Sequence, residues 1–192
     1  MEIIVYKKGN KNEEYAFKDL YGNEPENQTK VVFECDDENL SLKFRASFTG
    51  VLPEKYKKKT GKVYRADCVE VFIAFWEDLS SYYEFDVSPF NKMFASKIRN
   101  LNDEGIECIP CEKNLVETTS RVFDGYYEVN YRIPFKRFGI TRTSCIYLNA
   151  YRVEMLNGKR ISRSLNPTYN KSHHVRSSFV KLILEDEENE NM

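Results

Sequence analysis

The stretch that decides the fold is CVEVFIAFW at residues 68–76, with SYYEFDVS following at residues 81–88. Side chains of an extended strand alternate between its two faces. One face of the first stretch is therefore wholly apolar, and we expect it to face the core. It consists of Val69, Val71, Ile73 and Phe75. In the second stretch, the residues that match this face are Tyr83, Phe85 and Val87.

The opposite faces of these strands mix acids with aromatic residues. Residues 68–76 place Glu70, Phe72, Ala74 and Trp76 there, and residues 81–88 place Tyr82, Glu84, Asp86 and Ser88 there. A sugar site needs flat aromatic rings beside planar polar groups, because sugars present hydroxyl rims and apolar C–H faces. A half-exposed antiparallel sheet also carries polar residues on its solvent side. Alternation alone leaves both interpretations open.

Period-two alternation continues along most of the chain and predicts an all-β fold. We expect strands at residues 29–35, 40–48, 68–76, 81–88, 93–100, 115–123, 126–134, 144–154, 159–164 and 178–184, and an edge strand at the opening EIIVY. Turns are expected at 36–39, 124–125 and Asn157-Gly158, a strong hairpin signal. Helix is limited to one turn near 134–138, ended by Gly139. Many short strands favour an antiparallel β-sandwich with jelly-roll or immunoglobulin-like layering.

Size and charge restrict the remaining choices. The chain has 192 residues, 41% of them hydrophobic, and its net charge is -1. This length fits one domain, predicted for residues 1–184, and the acidic ending at 185–192 predicts a disordered tail. A balanced charge attracts no nucleic acid, and the basic stretch at 55–62 is expected to be a solvated loop. No signal peptide or membrane span is expected, which together with five unpatterned cysteines favours a cytoplasmic setting, or a secreted one if a signal was removed.

Several motifs follow one another along the chain. They are VYRADCVEVFI from Val63 and YYEFDVSP from Tyr82, followed by YEVNYRIPF from Tyr127, LNAYRV from Leu148, LNPT from Leu165, and the spacing of His174 and Phe179. In this order they resemble the family 9 carbohydrate-binding modules. The resemblance implies a β-sandwich that binds mono- or oligosaccharides between two aromatic side chains, without catalysis, in carbohydrate catabolism. Some members of that family bind structural calcium, but no ligand for it is assigned here and no cofactor is predicted.

Carried over by position, the resemblance implies a set of ligand-binding residues. Tyr64 corresponds to the first clamp aromatic and Glu70 to an acid that accepts hydrogen bonds from sugar hydroxyls. The other positions depart from the family pattern or come from neighbouring loops, and they are Asp86, Ser88, Leu165, Asn166 and Tyr169. Leucine stands where the family has a tryptophan, so Tyr169 is the alternative second aromatic. The structural alternatives are a loop tyrosine at Tyr64 and an ion-pair partner at Glu70.

Other motifs keep rival functions open. Cys108 and Cys111 have the C-x-x-C spacing of a redox pair or half a zinc site, but no second pair accompanies them. His173 and His174 are the two histidines, and their roles are either structural hydrogen bonding or ligation of a metal or haem. The rivals to sugar binding are a sandwich domain that has lost its sugar and serves interactions, and a glycoside-processing enzyme with two facing carboxylates.

Overall fold

The computed structural model describes residues 1–7, 13–48, 62–101, 105–141 and 143–186. Short strands dominate these ranges, as the alternation predicts. They are β1 (Glu2–Lys7), β2 (Glu14–Ala16), β3 (Lys18–Asp19), β4 (Thr29–Cys35), β5 (Asn39–Ser47), β6 (Cys68–Ala74), β7 (Ser81–Val87), β8 (Met93–Asn100), β9 (Ile106–Pro110), β10 (Glu117–Val122), β11 (Tyr126–Pro134), β12 (Cys145–Leu156), β13 (Lys159–Ser164) and β14 (Val180–Asp186). Helical structure within these ranges consists of 3-10 turns at Val63–Arg65, Lys113–Leu115, Phe135–Phe138 and Arg176–Ser178. No helix there is long and apolar enough to cross a membrane.

Hydrogen bonding joins the strands into one path that folds over on itself. The order is β10-β11-β5-β4-β1-β14-β12-β6-β7-β8-β9, with β2 on β4 and with β13 linking β12 to β3. β1 pairs in parallel with β14 and meets β4, also in parallel, at Lys7 opposite Cys35. The prediction of an edge strand here is therefore wrong, because β1 occupies the junction between the two halves. The other strand pairs are antiparallel.

The two halves pack face to face and enclose the main core. β4, β5 and β11 contribute aromatic and aliphatic side chains such as Phe44 and Val129, and the facing half contributes residues such as Val71 and Leu148. The Tyr131 hydroxyl reaches across from β11 to the backbone oxygens of Val69, at 3.0 Å, and Phe85, at 3.1 Å. The β-sandwich prediction and the core face of residues 68–76 are confirmed.

The outer face of the second half differs from the expected solvent-exposed face. Every residue of β6 is buried, on both sides of the strand. A second apolar cluster covers the outer side, drawn from the sheet, the 3-10 region near the C-terminus and the loop after β3, and it consists of Leu20, Phe72, Ala74, Tyr82, Ile98, Tyr151 and Phe179. The acids of this face are therefore buried too, which changes their chemistry.

Turns follow the predicted residues. Asn157 and Gly158 have φ of 51° and 76° between β12 and β13, the left-handed pair that a tight hairpin requires. The Asp36 Oδ1 accepts the backbone N–H groups of Glu38 and Asn39, each at 2.7 Å, so this acidic cluster forms a turn. β14 extends to Asp186, two residues into the predicted tail. Residues 187–192 and most of the basic stretch, 55–61, lie outside the described residues.

Candidate functional site

Three carboxyl groups meet on the outer face of the second half-sheet. Glu70 on β6 is directly opposite Asp86 on β7. Glu84 lies two residues before Asp86 and therefore on the same face of β7. Directly opposed side chains in an antiparallel pair have Cβ atoms about 5 Å apart, and diagonal ones about 7–8 Å. All three are buried, with exposed fractions of 1% for Glu70, 6% for Glu84 and 0% for Asp86.

Glu70 has charged and polar partners. The Nδ1 of His173 lies 2.7 Å from its Oε2, and the Cys68 thiol lies 3.7 Å from its Oε1. The His173 ring stacks on Tyr151 with centroids 4.4 Å apart, which fixes the imidazole in place. Burial acts to raise the pKa of Glu70, but attraction to His173 and Arg160 outweighs it, so the pKa lies below its ordinary value. Glu70 is therefore the ionised member of the group at neutral pH.

Glu84 and Asp86 behave in the opposite way. Burial, together with repulsion from Glu70, raises the pKa of Glu84 to about 8. Burial is the main cause that raises the pKa of Asp86 well above its ordinary value, and repulsion from Glu84 and Glu70 adds to it. Neither Asp86 oxygen forms a hydrogen bond with a described residue. At neutral pH the site thus holds one carboxylate and two protonated carboxyls, which carry O–H donors.

His174 contributes a neutral ring to the same region. Burial lowers its pKa to about 4, so it carries no charge at pH 7. Its Nδ1 lies 2.9 Å from the Tyr82 hydroxyl, and its backbone oxygen accepts the Asn100 side-chain N–H at 3.1 Å. The ring stacks on Phe72 with centroids 4.9 Å apart. The two histidines thus serve different groups, His173 the carboxylate and His174 the aromatic cluster.

An open cavity of about 480 Å³ lies above this face. This volume is within the range of about 300–1,000 Å³ that small-molecule sites occupy. Tyr64 and Phe94 line it and pack edge to face, with ring centroids 5.2 Å apart and an interplanar angle of 72°. The residues around it combine aromatic, acidic and basic groups, and they are Tyr64, Glu70, Phe72, Glu84, Phe94, Ile106, Cys108, Arg160, Lys171, Ser172, His173 and His174. We call this space the site cavity.

The structure brings two of the predicted ligand-binding residues to the site cavity. Tyr64 lines it from the 3-10 turn before β6, and Glu70 lines it from β6 itself. Asp86 is on the same face but fully buried, and it is not among the lining residues. Ser88 also does not line it, and its hydroxyl accepts the backbone N–H of Lys92 at 3.1 Å in the turn that ends β7.

The residues of the 165–169 segment lie elsewhere. Leu165 is 5% exposed and belongs to the main core between the sheets. The Asn166 side chain donates to the Ser178 oxygen at 2.9 Å and holds two loops together. Tyr169 is 71% exposed and is not among the residues lining the site cavity. The aromatic residue beside Tyr64 in the cavity is therefore Phe94, which sequence reasoning missed, while Phe72 also lines the cavity but is only 1% exposed.

One available signal could have identified Phe94. It is directly opposite Asp86 in the β7–β8 pairing, so strand alternation places it on the acidic face. The two basic lining residues, Arg160 and Lys171, come from β13 and from a loop, and no local pattern in the sequence connects them to β6. Their role depends on contacts between distant segments.

The C-x-x-C motif has the wrong environment for a low-pKa thiol. Burial and the nearby Glu84 raise the pKa of Cys108, and burial and Glu112 raise that of Cys111. Both are free thiols, on and just after an edge strand. In the described part of the chain, no three His, Cys, Asp or Glu side chains are placed to hold a metal ion.

Comparisons with known proteins identify the fold. A candidate carbohydrate-binding protein from Bacteroides uniformis superposes with a TM-score of 0.77 at 15% identity, over 96% of this chain and 99% of that chain. A family 9 carbohydrate-binding module from Caldicellulosiruptor kristjanssonii in complex with cellotriose gives a TM-score of 0.63 at 12% identity, over 100% and 97%. A family 9 module from the same organism in complex with glucose gives 0.60 at 12% identity, over 100% and 99%. No family model and no curated protein matches the sequence. The chain has the fold of the family 9 carbohydrate-binding modules.

Proposed function

We propose that this protein binds a mono- or oligosaccharide in the site cavity and releases it unchanged. The observation that carries the proposal is that two aromatic residues, Tyr64 and Phe94, meet the ionised Glu70 and the protonated Glu84 in one cavity. The fold adds support, since its neighbours include modules in complex with glucose and cellotriose. Sugars need such a mixture of apolar ring faces and paired donors and acceptors.

Each group has a distinct role in this proposal. Tyr64 and Phe94 offer ring surfaces to the C–H face of a sugar. The Glu70 carboxylate accepts hydrogen bonds from hydroxyls, and the protonated Glu84 donates one to a sugar oxygen. Arg160 lies at the rim, 4.0 Å from Glu70, and supplies further donors. Asp86 lies behind this set and supports it without facing the cavity.

Calorimetric titration of glucose and cellotriose tests the proposal. Wild type should release or absorb heat with at least one of them, and Tyr64→Ala should weaken binding by about tenfold or more, the loss expected for ~1.4 kcal/mol of ring contact. The matched control is Tyr126→Ala, a tyrosine on β11 in the other half of the sandwich, which should bind as wild type does. If Tyr64→Ala and Tyr126→Ala bind equally well, the sugar does not use the site cavity.

A glycosidase is the second candidate, because such enzymes use one protonated and one ionised carboxyl. Glu84 and Glu70 have these states. The fold neighbours include a module in complex with cellotriose, which favours binding over hydrolysis. We therefore expect cellotriose to be recovered intact after prolonged incubation, and release of glucose would replace the binding proposal with the enzymatic one.

A further inference from the structure

Tyr169 has a backbone conformation that tyrosine rarely adopts. Its φ is +51°, in the left-handed region, where the Cβ of a bulky residue is crowded. The other non-glycine residues with positive φ in the described ranges are Asn91 and Asn157, and asparagine tolerates this region. Tyr169 as a residue is 71% exposed, so burial does little to offset the backbone strain. Strain of this kind is concentrated at functional sites.

The surroundings hold Tyr169 in place. Its backbone N–H donates to the Leu20 oxygen at 2.8 Å, which ties the 165–172 loop to the loop after β3. A Cβ built on Gly22 would lie 3.2 Å from the Tyr169 hydroxyl, so the tip of the ring rests against that glycine. The ring is therefore fixed at one end and open to solvent over most of its surface.

A second exposed tyrosine lies on the loop that Tyr169 contacts. Tyr21 is 53% exposed. Asp19 holds its turn closed by accepting the backbone N–H groups of Tyr21 and Asn23, each at 2.8 Å. Both tyrosines are thus presented by loops that are fixed through other groups. Rigid aromatic side chains lose little conformational entropy on binding, which suits a contact surface.

We propose that Tyr21 and Tyr169 form a second sugar subsite, outside the site cavity, that contacts further units of an oligosaccharide whose end is bound in the cavity. This inference rests on the proposed function. Tyr169 is two residues from Lys171 and three from Ser172, both of which line the cavity. Two residues of chain span at most about 7 Å, so the Cα atom of Tyr169 lies within a sugar unit's length of the Cα atom of Lys171.

The surface around the two tyrosines favours a sugar over a protein partner. It offers two rings among polar groups such as Asn23, Asn170 and Lys171, which match the hydroxyl rim of a sugar. A stable protein interface needs about 800 Å² on each side with an apolar centre, far more than two tyrosine rings provide.

The variant Tyr169→Gly distinguishes sugar binding at the proposed subsite from sugar binding in the site cavity. Glycine accepts positive φ without strain, so the variant should fold at least as well as wild type and melt a few degrees higher. Calorimetry with glucose and cellotriose should show that wild type prefers cellotriose by about fivefold or more, and that the variant binds glucose unchanged but loses this preference. Tyr169→Asn, which also tolerates the backbone, should reproduce the result, and Tyr21→Ala should give part of it.

Other outcomes overturn the inference in distinguishable ways. If Tyr169→Gly keeps the full preference for cellotriose, or wild type has none, the second subsite is refuted and the cavity proposal stands. An equal loss of both sugars would assign Tyr169 to the cavity itself. If wild type binds neither sugar nor any glycan of an array of one to eight units, the proposed function fails and the subsite with it. A wild-type dimer that Tyr169→Gly converts to monomer in sedimentation would assign the surface to self-association.

Discussion

Two groups of buried ionisable side chains, on opposite faces of the same half-sheet, have different partners and different charge states. On the inner face, Arg152 is fully buried and its Nη2 lies 2.6 Å from the Asp67 carboxylate and 3.1 Å from the Ser47 oxygen. On the outer face, Glu70 contacts His173 and lies 4.0 Å from Arg160, whereas Asp86 has no hydrogen-bond partner among the described residues. Buried charges are normally paired, as Arg152 and Asp67 are. The outer face instead keeps two of its three carboxyls neutral, and this difference distinguishes the candidate site from a structural ion pair.

The largest expected effect is the loss of stability on breaking the ion pair between Arg152 and Asp67. Arg152→Met leaves the Asp67 carboxylate buried without its cation, and we expect the free energy of unfolding in urea to fall by about 3–5 kcal/mol. The control is Arg99→Met, which removes an exposed pair with Glu107 and should cost about 1 kcal/mol or less. Equal losses in the two variants would mean that the inner pair has no special structural role.

The second effect concerns the pH dependence of stability that Glu84, one of the outer-face carboxyls, produces. The pKa of Glu84 rises from 4.5 to about 8 in the folded protein, so its proton stabilises the fold below pH 4.5 and this contribution is lost as pH rises to 8. Glu84→Gln removes the titration, and at pH 8 it should be more stable than wild type by about 2 kcal/mol or more, with little difference at pH 4.

Stability of both proteins against urea across pH 4–9 measures this difference. Glu107→Gln, an exposed acid on the neighbouring edge strand, is the control and should follow the wild-type curve. A Glu84→Gln curve that runs parallel to wild type at every pH would show that Glu84 is not held protonated by its surroundings.

The smallest expected effect is on the alkylation rate of Cys108, and it tests whether a bound sugar covers this side of the site cavity. Cys108 lines the site cavity, and burial and Glu84 raise the pKa of its thiol, so alkylation should be slow at pH 7 and faster toward pH 9. A saturating sugar ligand should slow labelling of Cys108 a few-fold, as followed by mass spectrometry of peptides. Cys68, which is fully buried, should react only on unfolding. Labelling of Cys108 that ignores the ligand would place the sugar elsewhere.

Local patterns in the sequence account for most of the fold. Alternation identified the core face of β6 because period two needs no knowledge of distant residues. The parallel position of β1 could not be predicted in this way, since its partner β14 lies at the far end of the chain. The burial of the outer face was also missed, because alternation separates two faces without showing what covers each.

The site was predictable only in part. Tyr64 and Glu70 lie within seven residues of one another, and the motif that contains both placed them together. The contact of Glu70 with His173 joins residues 103 positions apart, which no local spacing reveals. Leu165 was assigned to the ligand by its motif position, yet the loop turns it into the main core.

Chemical-shift mapping tests most directly whether the outer-face cavity is where this chain holds sugar. In 15N-labelled protein titrated with cellotriose and with glucose, the largest amide shifts should fall on Tyr64, Glu70, Phe94 and Lys171, with the inner-face residues around Arg152 unchanged. Shifts confined to another surface, or no shifts with either sugar, would contradict the account.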